Sequence, residues 1–233
     1  MPRSISINRS FSPLMGLVVA TIVVYGFGYT VDKVLIHYTK PPPSILYVHL
    51  LVSSAWLLLF IAQSALVSTR NVRLHRRLGI WGIALGTAVS LVGLITVFVM
   101  RRRDIDSGGG AEAVAFLSIP LYSLGSFAVP FFMAAWCRTK PELHRRLMML
   151  ATCSLTFAAL ARVPALGDTR APVVTDFLMI IAAGVDWMRT RRLHPVYLIG
   201  IPAMISGEVL CLYLAQAAPP AWMAIAKFLL GRT

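Results

Sequence analysis

Long apolar runs alternate with short polar loops along the chain, and the runs have the length a helix needs to cross a bilayer. About 20 helical residues span roughly 30 Å of hydrocarbon. Seven runs reach or approach that length, at 13–36, 45–68, 78–100, 113–137, 147–166, 173–188 and 196–217, the sixth being the shortest. A further stretch, 221–230, is too short to span and follows Pro219 and Pro220, so it reads as an interfacial helix anchored by Trp222. The expected fold is all-α: a polytopic transmembrane bundle of about seven helices plus a short C-terminal interfacial helix, forming one domain over 1–233. No linker divides it, because the longest polar stretch, 101–112, has only 107–110 as a flexible tip. Arg3 and Arg9 precede the first run as in a signal peptide, yet no small-residue cleavage site follows, and the run reads as a retained first helix.

Composition agrees with this pattern. Of 233 residues 58% are hydrophobic and only 13% charged, and the mean hydropathy of +0.75 is too high for a single soluble core. A net charge of +13 would point a soluble protein toward nucleic acid, but here the bases sit in short runs between apolar stretches. Membrane lipids, not nucleic acid, are the expected partners, with a homo-oligomer or a larger membrane complex as the protein-level assembly. Lys and Arg in short loops stay on the cytoplasmic side. With the N-terminus inside, that side holds 13 of the 22 bases (Arg3, Arg9, Arg70, Arg73, Arg76, Arg77, Arg138, Lys140, Arg145, Arg146, Arg189, Arg191 and Arg192) and two acids, Glu142 and Asp186. The other nine bases face seven acids, so the charge bias predicts N-inside and C-outside. The run at 101–103 is the one violation. Were the sixth segment not to span, the C-terminus would move inside and His194 would change sides.

Cys137, Cys153 and Cys211 make an odd count without C-x-x-C spacing, which supports neither a disulfide framework nor a thiol metal site. No Gly-rich phosphate loop, nucleophile elbow or H-E-x-x-H is present. Leu-His-Arg-Arg-Leu occurs twice, at 74–78 and 143–147, each copy ending a basic loop and opening a helix, a hint of duplicated hairpins.

Two layers of residues are candidates for chemistry. His75, His144 and His194 open three successive helices on the expected cytoplasmic side and share one depth. Three imidazoles with an open position make a catalytic metal site if the helices converge, with Asp186 as a further ligand or as support. Toward the other face, Asp32, His49, Arg162, Asp176 and Glu208 fall within apolar runs, where ionisable groups each cost about 2.5–3.5 kcal/mol and so meet a partner or a wet cavity. Arg162 with Asp176 or Glu208 is the expected pair, with His49 able to exchange a proton and Glu208 the favoured functional acid. Pro120, Pro130, Pro164, Pro202 and Gly207 loosen helices in this region, as binding sites in transporters require. Gly79, Gly82, Gly86 and Gly93 favour close packing of the third helix.

His49, Trp56 and Gln63, followed by V-R-L-H-R-R-L-G at 72–79, P-E-L-H-R-R-L-M-M-L-A at 141–151, Ala161-Arg162, Asp186, Arg191 and His194-Pro195 resemble, in order and spacing, a family of bacterial multi-pass inner-membrane proteins over about 45–230. The resemblance implies a location in the bacterial inner membrane, where the charge bias puts the N-terminus in the cytoplasm and the C-terminus in the periplasm. The H-R-R-L-G element also resembles segments of haem b ferric reductases and related membrane cytochromes. Those carry paired histidines on facing helices, whereas here His49 is the one well-embedded histidine and only His37 lies near it in depth. Haem b or a divalent metal held by His75, His144 and His194 are therefore the cofactor candidates. Three functions follow: a membrane redox or metal-dependent protein built on those histidines, a proton-coupled transporter or small-molecule-binding protein built on Glu208, Arg162, Asp176 and His49, and an accessory subunit in which these groups are structural.

Overall fold

The computed structural model describes residues 3–31, 36–38 and 41–231, and Asp32 lies outside them. Among the described residues the chain is all-α, without strands: α1 (Arg3–Val31), α2 (Ser44–Ser68), α3 (Val72–Asp104), α4 (Gly110–Ala115), α5 (Ser118–Trp136), α6 (Pro141–Leu160), α7 (Gly167–Thr190), α8 (Pro195–Ala217) and α9 (Pro220–Leu230). Six stretches are long and apolar enough to cross a membrane, residing in α1, α2, the continuous α3 to α4 stretch, α5, α7 and α8. The shortest predicted segment, 173–188, belongs to one of them, because α7 begins six residues earlier in a polar first turn holding Asp168 and Arg170. The helix of the 147–166 segment is not among the six. Its first two turns carry Glu142, Arg145 and Arg146, and it ends at Leu160, ahead of Pro164, so it is shifted toward the N-terminus of the predicted run.

That helix is nonetheless the centre of the bundle. Twelve of the 20 residues of α6 are buried, against two of 25 on α2, and α6 packs on α1, α5, α7 and α8. The contacts fix the directions. Gly26 of α1 lies on Ala159 and Phe11 under Arg189, so α1 runs parallel to α6. Antiparallel neighbours on α6 are shown by Tyr122 of α5 against Phe157 and by Thr156 bonded to Thr175 of α7 at 3.2 Å. Gly86 and Gly93 of α3 face Phe131 and Leu124 of α5. The long helices thus alternate in direction, and 20 residues of α6 cover about 30 Å within them.

Small and hydroxyl residues allow this density. Thr152, Ser154 and Thr156 are almost wholly buried and return their hydroxyl protons to carbonyls of their own helix, so these three hydroxyls are satisfied within α6. Of the four glycines expected to favour packing, Gly86 and Gly93 carry it, since a Cβ would stand 2.2 Å from the Phe131 ring and 2.9 Å from Leu124; Gly79 and Gly82 have ordinary space. Trp56, Phe127 and Phe131 form an aromatic cluster beside Gly86, with Trp56 edge-on to both phenylalanines at 5.2 Å.

The three arginines at 101–103 are employed by the protein itself. Helix α3 continues through them; Arg101 pairs with Asp104 at 3.1 Å and lies over the Phe116 ring. Arg102 donates to the Leu230 carbonyl at 3.0 Å, closing the end of α9, and Arg103 donates to the Pro41 carbonyl. A π-helical turn, Ile105–Gly109, leads on with Gly108 and Gly110 at φ of 96° and 57°. The predicted 113–137 segment is interrupted at Phe116 and Leu117, so Pro120 falls in the first turn of α5, where a missing N–H costs nothing. Trp222, expected as an interfacial anchor, instead donates its indole N–H to the Ala115 carbonyl at the end of α4, at 2.9 Å.

Gly26→Ala places a Cβ 2.2 Å from the Ala159 carbonyl oxygen, which is backbone and cannot swing away. The expected cost is about 1–3 kcal/mol in denaturant unfolding of the micelle-embedded protein. Gly28→Ala, with nothing within 4 Å, should be neutral or slightly stabilising, because alanine is the better helix former.

Candidate functional site

Both copies of Leu-His-Arg-Arg-Leu open a helix directly after a short basic loop. Asn71 accepts from the Leu74 N–H at 3.3 Å to cap α3, and Pro141 opens α6, where its absent N–H is not needed. Because α3 packs on α5, the hairpins α2–α3 and α5–α6 stand side by side. Their histidines meet: the His75 and His144 rings are 6.4 Å apart at 72°. His144 Nδ1 is 2.9 Å from the Ala134 carbonyl oxygen, which only accepts, so Nδ1 carries the proton and Nε2 a lone pair. For His75 the arrangement is reversed. The Gln63 amide is assigned, from its neighbours, the orientation in which its oxygen accepts from the Gly79 N–H at 3.0 Å and its NH2 donates to His75 Nδ1 at 2.7 Å, and with that assignment the His75 proton is on Nε2. These tautomers follow from the partners of each ring.

The third histidine has another use. His194 is the N-cap of α8 and accepts from the Val196 N–H at 3.2 Å through Nδ1. Asp186, expected beside a metal, has both oxygens occupied by arginine: Arg146 Nε donates at 2.7 Å and Nη2 at 3.1 Å, and Arg145 adds a bond at 3.1 Å. Arg146 also reaches back one turn to the Glu142 carbonyl, at 2.8 Å, and to its carboxylate. The Arg146 and Asp186 side chains are only 2% and 7% exposed, so this is a matched pair of buried charges tying α6 to α7. The recess beside it, against Phe11 and Tyr197, measures about 10 Å³, at or below the room one water needs. Among the described residues no group of three or more His, Cys, Asp or Glu side chains stands close enough to hold a metal ion. The expected set of His75, His144, His194 and Asp186 is thus not assembled as a metal shell: two histidines meet, the third caps a helix, and the aspartate serves arginines.

At the opposite end the expected ion pair does not form. Arg162 lies in the turn after α6, donates to the Ala158 carbonyl and stacks over the Phe27 ring at 4.4 Å. Asp168 and His49 are its electrostatic neighbours, not Asp176 or Glu208. His49 of α2 has a buried Nδ1 without a hydrogen-bond partner among the described residues. Glu208 is 8% exposed and its electrostatic neighbour is a second acid, Asp176. It sits on α8 between two cross-helix bonds from α5, Tyr122 to the Met204 carbonyl at 2.7 Å and Ser118 to the Cys211 carbonyl at 2.8 Å. Asp176, Glu208 and Tyr122 form one group, and His49 with Arg162 another.

The residues that sequence reasoning passed over are Arg146, Tyr122 and the partners of the histidine rings. Arg146 had a signal in the helical period: it lies one turn before Met149 and Leu150 on the stripe that continues through Cys153 and Phe157, all buried. No family model, curated protein or solved structure matches this chain.

Asp186→Leu leaves Arg146 buried with only Glu142, and the expected loss is about 3–5 kcal/mol. Arg146→Met should cost less, because Arg145 still meets Asp186, and the double variant should cost less than the sum. A double-mutant cycle of unfolding free energies measures this, and strict additivity would contradict it. His194 gives a pH effect. Burial, and then the Arg146 guanidinium, hold its imidazole below the ordinary range. The folded state therefore binds this proton more weakly than the unfolded chain does, so the cap is intact above about pH 6.5 and is lost as pH falls through the lowered value. Hydrogen exchange at the Val196 amide, corrected for its intrinsic rate, should accelerate across that range and stay flat in His194→Asn.

Proposed function

We propose that this chain is a proton-coupled integral membrane protein whose exchange site at its basic end is the His75 and His144 pair. The observation that carries the reading is their 6.4 Å separation together with the opposite engagement of the two Nδ1 atoms. Nε2 of His144 is a base and Nε2 of His75 an acid, so the pair takes up one proton at a time from the basic end, and each ring is held by its own hairpin. Asp176 and Glu208 supply carboxyl groups near the opposite end, without an arginine to fix them as anions, which gives proton sites toward both faces. The reading includes seven crossings with α6 as the fifth, a bacterial inner-membrane location with a cytoplasmic N-terminus, and membership of the multi-pass family that the paired L-H-R-R-L elements resemble.

A second reading has a specific observation behind it. With metal–nitrogen bonds of about 2.0–2.1 Å, two imidazoles on opposite sides of one metal or haem iron would place their rings about as far apart as these are. That ligation needs a free lone pair on both Nε2 atoms, and therefore the opposite orientation of Gln63.

Nitrogen-15 NMR of histidine-labelled protein in nanodiscs, with absorption and metal analysis of the same sample, separates the two. The proton reading expects an Nε2–H tautomer at His75 and an Nδ1–H tautomer at His144, one proton taken up by the pair, and a simple single-site titration of His75 in His144→Ala. Stoichiometric metal or a Soret band lost in both His75→Ala and His144→Ala would replace it with the redox reading. Independent titration of the two rings in the unaltered protein would defeat it without help from a cofactor.

A further inference from the structure

We propose that the α2–α3 hairpin holds an anionic phospholipid, with an acyl chain in its outer groove and the phosphate on Arg73 and Arg77. The groove has an open volume of about 730 Å³ and is lined by Ala55, Leu58 and Ala62 on α2 and Trp81, Ala84 and Ala88 on α3. Trp81 is 73% and Leu58 69% exposed, so nothing among the described residues covers it. On α3, Arg73, Arg77, Trp81, Ala84 and Ala88 recur at intervals of three and four, which puts both arginines on the stripe that forms the groove wall. From Arg77 to Ala88 the stripe is about 16 Å long, running from the basic rim into the apolar depth as a phospholipid does.

Charge supplies the choice of headgroup. Between Ser44 and Arg103 the sequence contains no acid, while Arg70, Arg73, Arg76 and Arg77 cluster at one rim and all four are exposed. The second L-H-R-R-L copy provides the contrast. Its last arginine, Arg146, is neutralised by Asp186 from the neighbouring helix, whereas Arg77, the equivalent residue of the first copy, has no ion pair among the described residues. A lipid phosphate at the first copy fills the role that Asp186 fills at the second, and a guanidinium suits that task because its planar fork matches phosphate oxygens.

The test uses the full chain in phosphatidylcholine vesicles doped, at equal mole fraction, with brominated phosphatidylglycerol or brominated phosphatidylcholine. The Trp81 contribution to fluorescence is taken as the difference from Trp81→Phe. The expected result is quenching of Trp81 at a brominated phosphatidylglycerol content on the order of tenfold lower than for brominated phosphatidylcholine, from two arginines at the surface. That preference should vanish in Arg73→Gln/Arg77→Gln, survive in Arg191→Gln/Arg192→Gln, and shrink with added salt in the unaltered protein. Equal quenching by the two lipids would overturn the proposal. So would absence of quenching by either, together with disulfide-linked dimers of Leu58→Cys, since the occupant would then be a second copy of the chain.

Discussion

A bilayer offers no water to a stranded charge, and the matched burial of Arg146 and Asp186 answers that constraint between α6 and α7. Each arginine nitrogen that faces protein has an acceptor, and both aspartate oxygens have donors. The pair sits where α6 enters the bundle, and α6 is the helix on which α1, α5, α7 and α8 all pack. Its composition is the compromise this demands. A central helix needs no lipid-facing surface, so it can spend positions on Thr152, Ser154 and Thr156, and it can carry three charges in two turns because Glu142 pairs with both arginines within α6 and Asp186 of α7 completes the set.

The same compromise explains what could be read in the sequence and what could not. Helices that face lipid are apolar around much of their surface, and α2 and α8 fall where the runs at 45–68 and 196–217 place them. Hydropathy fails where partners are internal. It starts α6 at 147 instead of Pro141, because Glu142, Arg145 and Arg146 resemble loop residues until Asp186 is seen opposite them. It stops α3 at 100, because a run of three arginines resembles a loop until Leu230, Pro41 and Asp104 are seen to receive it. The departure from the charge rule at 101–103 is then a set of internal bonds. Candidate residues were legible by type and not by partner: two of the three histidines do meet, but no spacing along one chain could foretell that the third would cap α8.

The two L-H-R-R-L copies occupy like positions in their hairpins and have different surroundings. Both histidines turn inward to each other, each steadied by the preceding helix, through Gln63 in one hairpin and the Ala134 carbonyl in the other. The arginines diverge. In the second copy they are drawn into the α6–α7 contact, while in the first they remain at the surface. The duplicated element thus has one shared feature, a histidine held through Nδ1 by the preceding helix, and one divided feature, the surroundings of its arginines.

The two ends of the bundle differ in how completely their charges are matched. At the basic end Arg145 and Arg146 are paired with Glu142 and Asp186, and the recess beside them, which Arg189 also lines, has no room for substrate. These pairs hold the helices in register around the histidines. Toward the other end Asp176 is the electrostatic neighbour of Glu208, while Arg162 is committed to Phe27 and Ala158. Two neighbouring carboxylates repel when both are ionised, and one proton relieves the repulsion. Glu208 stands between the two bonds by which α5 grips α8, those of Tyr122 and Ser118. Helix α8 is held on α5 by these hydroxyl-to-carbonyl bonds and by Ile201 and Cys211 in the apolar core, while α6 and α7 are tied by their buried ion pair.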